Sequence, residues 1–137
     1  MERIRIKAAQ FEFIARFENK DAPLTCAKFK GMLPYKERII HVRWSGEGCW
    51  IPLGETELGL KYENHTSYPA PGQIIVYPGG ISETEILLAY GNVHFASKVG
   101  QLAGNHFLTI VEGLEHLRPL GQLVLWHGAQ EIVFEAL

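Results

Sequence analysis

Short apolar stretches that alternate with polar residues, each cut off by glycine or proline, constrain this chain more than any other feature. Ile4 and Ile6 alternate with Arg3, Arg5 and Lys7. Phe11, Phe13, Ala15 and Phe17 alternate with Glu12, Ile14 and Arg16. A period of two places one set of side chains on each face of a strand, so both segments read as half-buried strands joined near residues 8–10. Ile40, Val42 and Trp44 alternate with His41, Arg43 and Ser45, which predicts a strand with one apolar and one polar face. Residues 49–52 read as another short strand. Residues 74–77 form an apolar run between Pro71-Gly72 and Pro78-Gly79-Gly80, hence a buried strand. Residues 86–90 and 93–96 flank Gly91-Asn92 and read as a hairpin. Residues 132–134 supply a closing strand. Many short strands in this order predict a mainly β chain, folded as a barrel or sandwich.

Two segments change period. Pro23 suits the first turn of a helix, where its missing N–H costs nothing, and Cys26, Phe29 and then Met32 or Leu33 follow at helical spacing. The expected early helix spans residues 23–33 and stops at Pro34. Phe107, Ile110, Val111, Leu114 and Leu117 fall at i, i+3, i+4, i+7 and i+10, predicting an amphipathic helix over residues 105–118 with Asn105 as its N-cap. Pro119 then opens a second helical stretch through Leu123, Val124 and Trp126, ended by Gly128.

Size and charge narrow the function classes. A chain of 137 residues fits one domain over residues 1–137, and 47% hydrophobic residues suffice for one core. Thirteen basic against fifteen acidic residues give a net charge of −2, with no basic footprint for nucleic acid and no polybasic patch for a membrane surface. No apolar run reaches membrane-spanning length, and the charged opening does not read as a signal peptide, so the cytoplasm is the expected compartment. Cys26 and Cys49 are the only cysteines and form neither a CxxC motif nor a disulfide framework.

The segment Phe13-Ile14-Ala15-Arg16-Phe17, followed by Asp21-Ala22-Pro23-Leu24-Thr25-Cys26-Ala27-Lys28-Phe29, resembles the opening of cyclophilins. More closely, the whole chain resembles a bacterial family of uncharacterised proteins with a cyclophilin-like fold. The likeness is carried by residues 41–47, Tyr62-Glu63-Asn64-His65-Thr66-Ser67-Tyr68-Pro69, residues 77–85, and Ala103-Gly104-Asn105-His106-Phe107. The resemblance implies a closed, cyclophilin-like β-barrel of about eight strands with helices over its ends, and no particular activity. Prolyl isomerases of the cyclophilin family carry an adjacent His-Arg pair and a Gln-Gly-Gly stretch. Here Val42 splits His41 from Arg43, and Trp44-Ser45-Gly46-Glu47-Gly48 follows. Isomerase activity is therefore not expected.

Three residues are candidates for catalysis. Arg43, on the polar face of its strand, could clamp a carboxylate, imide or carbonyl through two parallel N–H bonds, or could be an ordinary arginine paired to Glu47. Glu47 lies between Gly46 and Gly48, flanked by Trp44 and Trp50, where desolvation would raise its pKa towards that of a working base; the plainer alternative is a solvated loop glutamate. His65 lies in the polar run 63–68 and could exchange protons near neutral pH, or could belong to a polar turn that bonds its own backbone.

Trp44 and Trp50 would wall a pocket shared by all three, and Tyr68, Glu83 and His106 are further ligand contacts; in the segment 82–85 either Glu83 or Glu85 could face that pocket, the plainer alternative being a charged turn. Cys49 beside Trp50 is a weak candidate nucleophile, with His65 as its base. Six histidines without an i, i+4 pair or a cysteine neighbour give no metal site, and no cofactor is implied. The expected function is to bind or transform a small polar metabolite with amide, imide or carboxylate groups in the barrel mouth. The alternatives are a prolyl isomerase-like peptide-binding module and a non-catalytic subunit that assembles as a homo-oligomer.

Overall fold

The computed structural model describes residues 2–137. Its strands are β1 (Arg3–Ala8), β2 (Phe11–Phe17), β3 (Tyr35–His41), β4 (Gly46–Gly54), β5 (His65–Thr66), β6 (Gln73–Tyr77), β7 (Thr84–Val93), β8 (Ala96–Ser97), β9 (Gly100–Gln101), β10 (Gly104–Glu112) and β11 (Gln130–Ala136). The helices are α1 (Pro23–Lys30) and α2 (Leu117–His127), the latter preceded by a 3-10 turn over Leu114–His116. Eight antiparallel strands run in the order β2-β1-β11-β3-β4-β7-β6-β10, and β10 pairs back onto β2. The sheet is thus a closed barrel of the cyclophilin-like kind the sequence predicts. The short β5 adds to the start of β10, and β8 and β9 form a separate hairpin.

Period-two alternation explains the walls. Ile4, Ile6, Phe13, Ala15, Phe17, Ile132 and Phe134 point inward and are buried, while their neighbours carry the charges. Each such side chain contributes about 1.5–3 kcal/mol by leaving water. Helix α1 adds Cys26 and Phe29, whose ring meets those of Phe107 and Phe134 at 5.0 and 5.1 Å. Helix α2 adds Leu117, Leu120 and Val124. The interior is therefore a packed apolar core. A second apolar layer lies outside the β6–β7 wall, where Ile75, Tyr77, Leu87 and Ala89 are covered by Phe95 and Leu102. No described helix is long and apolar enough to cross a membrane.

Several expectations are corrected. Residues 104–112 form a strand, not the first part of a helix, and α2 begins only at Leu117. Strand β10 slips register twice, between His106 and Leu108 against β6 and between Ile110 and Glu112 against β2. Each bulge inserts an unpaired residue, so Phe107, Leu108 and Ile110 are all buried and the strict alternation is lost. That irregular spacing imitates a helical one. Asn105 caps no helix: it is wholly buried in β10, where Nδ2 donates to Thr25 Oγ1 (3.1 Å) and the Lys61 carbonyl (2.9 Å), and Oδ1 accepts from Glu63 N–H (3.1 Å).

Gly91-Asn92 is no hairpin turn, because β7 runs through it. A Cβ at Gly91 would collide with Glu47 Oε1, so this glycine provides clearance rather than a bend. Strand β3 ends at His41, which leaves Arg43 in a loop rather than on the polar face of a strand. The early helix is shorter than expected and ends at Lys30.

Candidate functional site

A deep cleft lies on the outside of the barrel, against β4 and β7, and not in a barrel mouth. Alternation along β4 sends Cys49 and Ile51 inward and Trp50 outward. Alternation along β7 sends Ile86 and Leu88 inward and Glu85 outward, in register with Pro52 on one side and Tyr77 on the other. Trp50 and Glu85 thus share the floor of a cavity of about 960 Å³. Residues 42–45, 54–57, 78–84 and 96–99 build its walls.

Those walls are tied to the barrel. Ser45 Oγ donates to the Ala96 carbonyl and accepts from Ala96 N–H, both at 3.0 Å. Thr84 Oγ1 donates to the Thr56 carbonyl at 2.7 Å. The Tyr77 hydroxyl accepts N–H bonds from Ile81 (3.1 Å) and Ser82 (3.3 Å). Gly79 adopts a φ of 95°, where a side chain would be strained and its Cβ would press on Thr84 Oγ1. Loops fixed in this way hold a pocket open without a ligand to organise it.

Glu85 is the anomaly of the site. It is only 6% exposed, yet among the described residues no hydrogen bond or ion pair holds its carboxyl. Burial pushes its pKa up to about 8, and the nearby Glu83 carboxylate adds to the rise. Near neutral pH the group is largely protonated, poised to donate as well as to accept. Arg43 stands at the rim, exposed, with its guanidinium carbon 5.8 Å from the centre of the Trp44 ring. Trp44 is itself 57% exposed, and Glu83 and Lys98 are exposed on the opposing loops. Among the described residues no group of three or more His, Cys, Asp or Glu is placed to hold a metal ion.

Residues 4–136 match the family described as Protein of unknown function (DUF3830). The chain belongs to the DUF3830 family. No curated protein matches it. Among solved structures, McbB in complex with tryptophan superposes with a TM-score of 0.70 at 19% identity, covering 97% of this chain. This DUF3830 chain spans 44% of the length of that McbB chain. The solution structure of the hypothetical protein AF2241 from Archaeoglobus fulgidus gives a TM-score of 0.66 at 20% identity, covering 99% of this chain and 95% of that one. Likeness at this identity speaks for the fold alone.

The structure brings Arg43, Trp44, Trp50 and Glu83 of the DUF3830 chain to one cleft and separates the other predicted site residues from it. Glu47 forms a two-point ion pair with Arg118 of α2, at 3.1 and 3.2 Å, and accepts Asn92 N–H at 2.9 Å. Arg118 and that N–H hold its carboxyl below the usual range, the reverse of the expected rise. His65 stacks on Tyr62 and sits opposite Asn105, away from the cleft. Arg43, Glu47 and His65 therefore do not form a common site.

Cys49 lies inside the barrel, where burial pushes its thiol up to about 12, away from the thiolate that a nucleophile needs. Tyr68 stacks on His94 in a shallower groove that meets the cleft at Trp44. His106 bonds Thr109 Oγ1 at 2.7 Å, and Thr109 in turn donates to Glu18 at 2.6 Å, far from the cleft floor. The central residue of the cleft, Glu85, stands at the head of an apolar run. Its signal in the sequence is the Glu83-x-Glu85-x-Leu87 alternation, which puts a carboxylate on the same face as a buried leucine.

Proposed function

We propose that this protein binds a small polar metabolite in the Trp50–Glu85 cleft, through an N–H group that the Glu85 carboxyl accepts and a carbonyl or carboxylate that Arg43 receives. Amides and imides present both groups on one edge. The observation that carries the reading is Glu85, a carboxyl in the floor of an open cavity with no partner of its own. Its oxygens keep a little contact with the cavity, so the cost of leaving them unpaired falls on the charged form. Such a cost is tolerated where a ligand supplies the missing partner. The half-buried Trp50 indole beside it offers a flat apolar wall for the body of the ligand.

The test is a thermal-shift screen of metabolites against the wild type, Glu85→Gln and Trp50→Ala, with tryptophan, the molecule bound to McbB, among the compounds. A ligand at about a hundred times its Kd stabilises by about 2.7 kcal/mol. The expected result is a hit that raises the Tm of the wild type and loses most of that rise in both variants. Hits that stabilise all three proteins equally would place binding elsewhere and sink the reading.

A further inference from the structure

We infer that the group this cleft takes against Glu85 is an organic cation, a protonated amine, amidine or guanidine carried on a flat or apolar body; this rests on the small-metabolite reading and narrows it. The first ground is the distribution of charge. Glu55, Glu57, Glu83 and Glu85 line the cavity against Arg43 and Lys98 alone. The three other carboxylates stand exposed at the rim, and Glu85 lies buried at the floor. The rim carboxylates favour a cation over an anion at the entrance, and a cation reaching the floor favours the ionised form of Glu85, which gives up its proton to solvent as the pair forms.

The second ground is what the protein leaves undone. It sets two cations of its own at the rim, yet neither Arg43 nor Lys98 forms an ion pair with Glu85 among the described residues. Elsewhere the same chain pairs its carboxylates readily: Glu47 with Arg118, Glu18 with Arg16 and Glu112 with Arg3. Glu85 is kept buried and free in a fixed pocket.

The third ground is chemical. The carboxylates do not gather closely enough to hold a metal ion, which leaves a cation that brings its own N–H donors. Trp50 on the floor offers an indole face, the best of the aromatic surfaces for such a charge. A pair with a carboxyl as buried as Glu85 is worth more than the same pair on an open surface.

Three probes of one shape test this: benzamidine, benzamide and benzoate, which are cationic, neutral and anionic on the same ring. Affinities are measured by calorimetry for the wild type and Glu85→Gln. Benzamidine is expected to bind at least about tenfold more tightly than either of the others, a difference of about 1.4 kcal/mol. In Glu85→Gln that preference should fall to about twofold or less. Amide chemical shifts in the labelled wild type give a reading that needs no variant, with benzamidine expected to move residues 84–87 and the Trp50 indole N–H.

The assignment to a cation is overturned by benzamide or benzoate binding as tightly as benzamidine. It is equally overturned by a preference that survives Glu85→Gln, by shifts confined to another surface, or by no benzamidine binding at millimolar concentration. Such a failure is distinguishable from failure of the broader reading. A neutral or anionic hit from the metabolite screen that depends on Trp50 keeps the small-metabolite function and removes only the cation.

Discussion

Two polar regions of this molecule look alike in composition and differ in structure. In the run 62–68 the Glu63, Asn64, Thr66 and Ser67 side chains are all spent on the scaffold. The Glu63 carboxylate accepts Thr25 N–H at 2.6 Å at the start of α1, Asn64 donates to the His106 carbonyl at 2.9 Å, and Ser67 donates to the Leu102 carbonyl at 2.7 Å. In the cleft the central carboxyl is spent on nothing. Polarity alone therefore does not mark a site. What separates a structural polar group from one kept for a ligand is whether the fold has already given it a partner.

The sharpest way to press on this contrast is pH. An unfolded Glu85 titrates near 4.5 and the native one near 8. Between those values the native chain holds a proton that the unfolded chain has lost. Stability therefore falls as pH rises, by about 1.4 kcal/mol per pH unit for this group. Glu85→Gln abolishes the fall. In urea denaturation the variant should gain on the wild type steadily from about pH 5 to 8. Taking the difference between the two proteins removes the contribution of His106, whose pKa burial lowers and whose effect has the opposite sign. A difference that stays flat with pH would mean that Glu85 is already satisfied.

Asn105→Ala probes the other side of the comparison, since Asn105 ties the 61–63 segment to β10 and α1. It leaves the buried Thr25 hydroxyl and the part-buried Lys61 carbonyl and Glu63 N–H without their partner and should cost about 3 kcal/mol in equilibrium denaturation. A loss below about 1 kcal/mol would show that the polar run is not held as described. The smallest effect is expected at His65. His65→Ala should change stability by no more than about 0.5 kcal/mol and leave benzamidine affinity untouched. A lost affinity there would join the two regions that the structure keeps apart.

The legible part of the fold was the part with unbroken parity. Strands β1, β2 and β11 alternate without a bulge of their own, and the inward faces of β1 and β2 could be read residue by residue. Strand β10 could not, because its two bulges bury Phe107 and Leu108 side by side. Gly91 was misread because a glycine demanded by a close approach looks the same in a sequence as one demanded by a turn.

The candidate site was legible in half its members for the same reason. Arg43, Trp44 and Glu83 sit in loops and Trp50 on β4, all lining one cleft. Glu47 was misread because its partner, Arg118, lies 71 residues away in the chain. Glu85 was in view as a neighbour of Glu83, but only the register with Tyr77 and Pro52 reveals that it is buried.

The order of strands around the barrel has a consequence for the growing chain. Strand β11 fills the lane between β1 and β3, pairing Ile4 with Ala136 on one side and Ile39 with Gln130 on the other. On a ribosome that lane stays vacant until Gln130–Ala136 has been made. Until then β1 and β3 each present a bare edge, the kind of surface that recruits stray strands from other chains. Arg3, Arg5 and Lys7 on one bank and Lys36 and Arg38 on the other place positive charge along both edges. Lysines and arginines along a bare edge disfavour its pairing with a like-charged edge of another copy while the vacancy lasts.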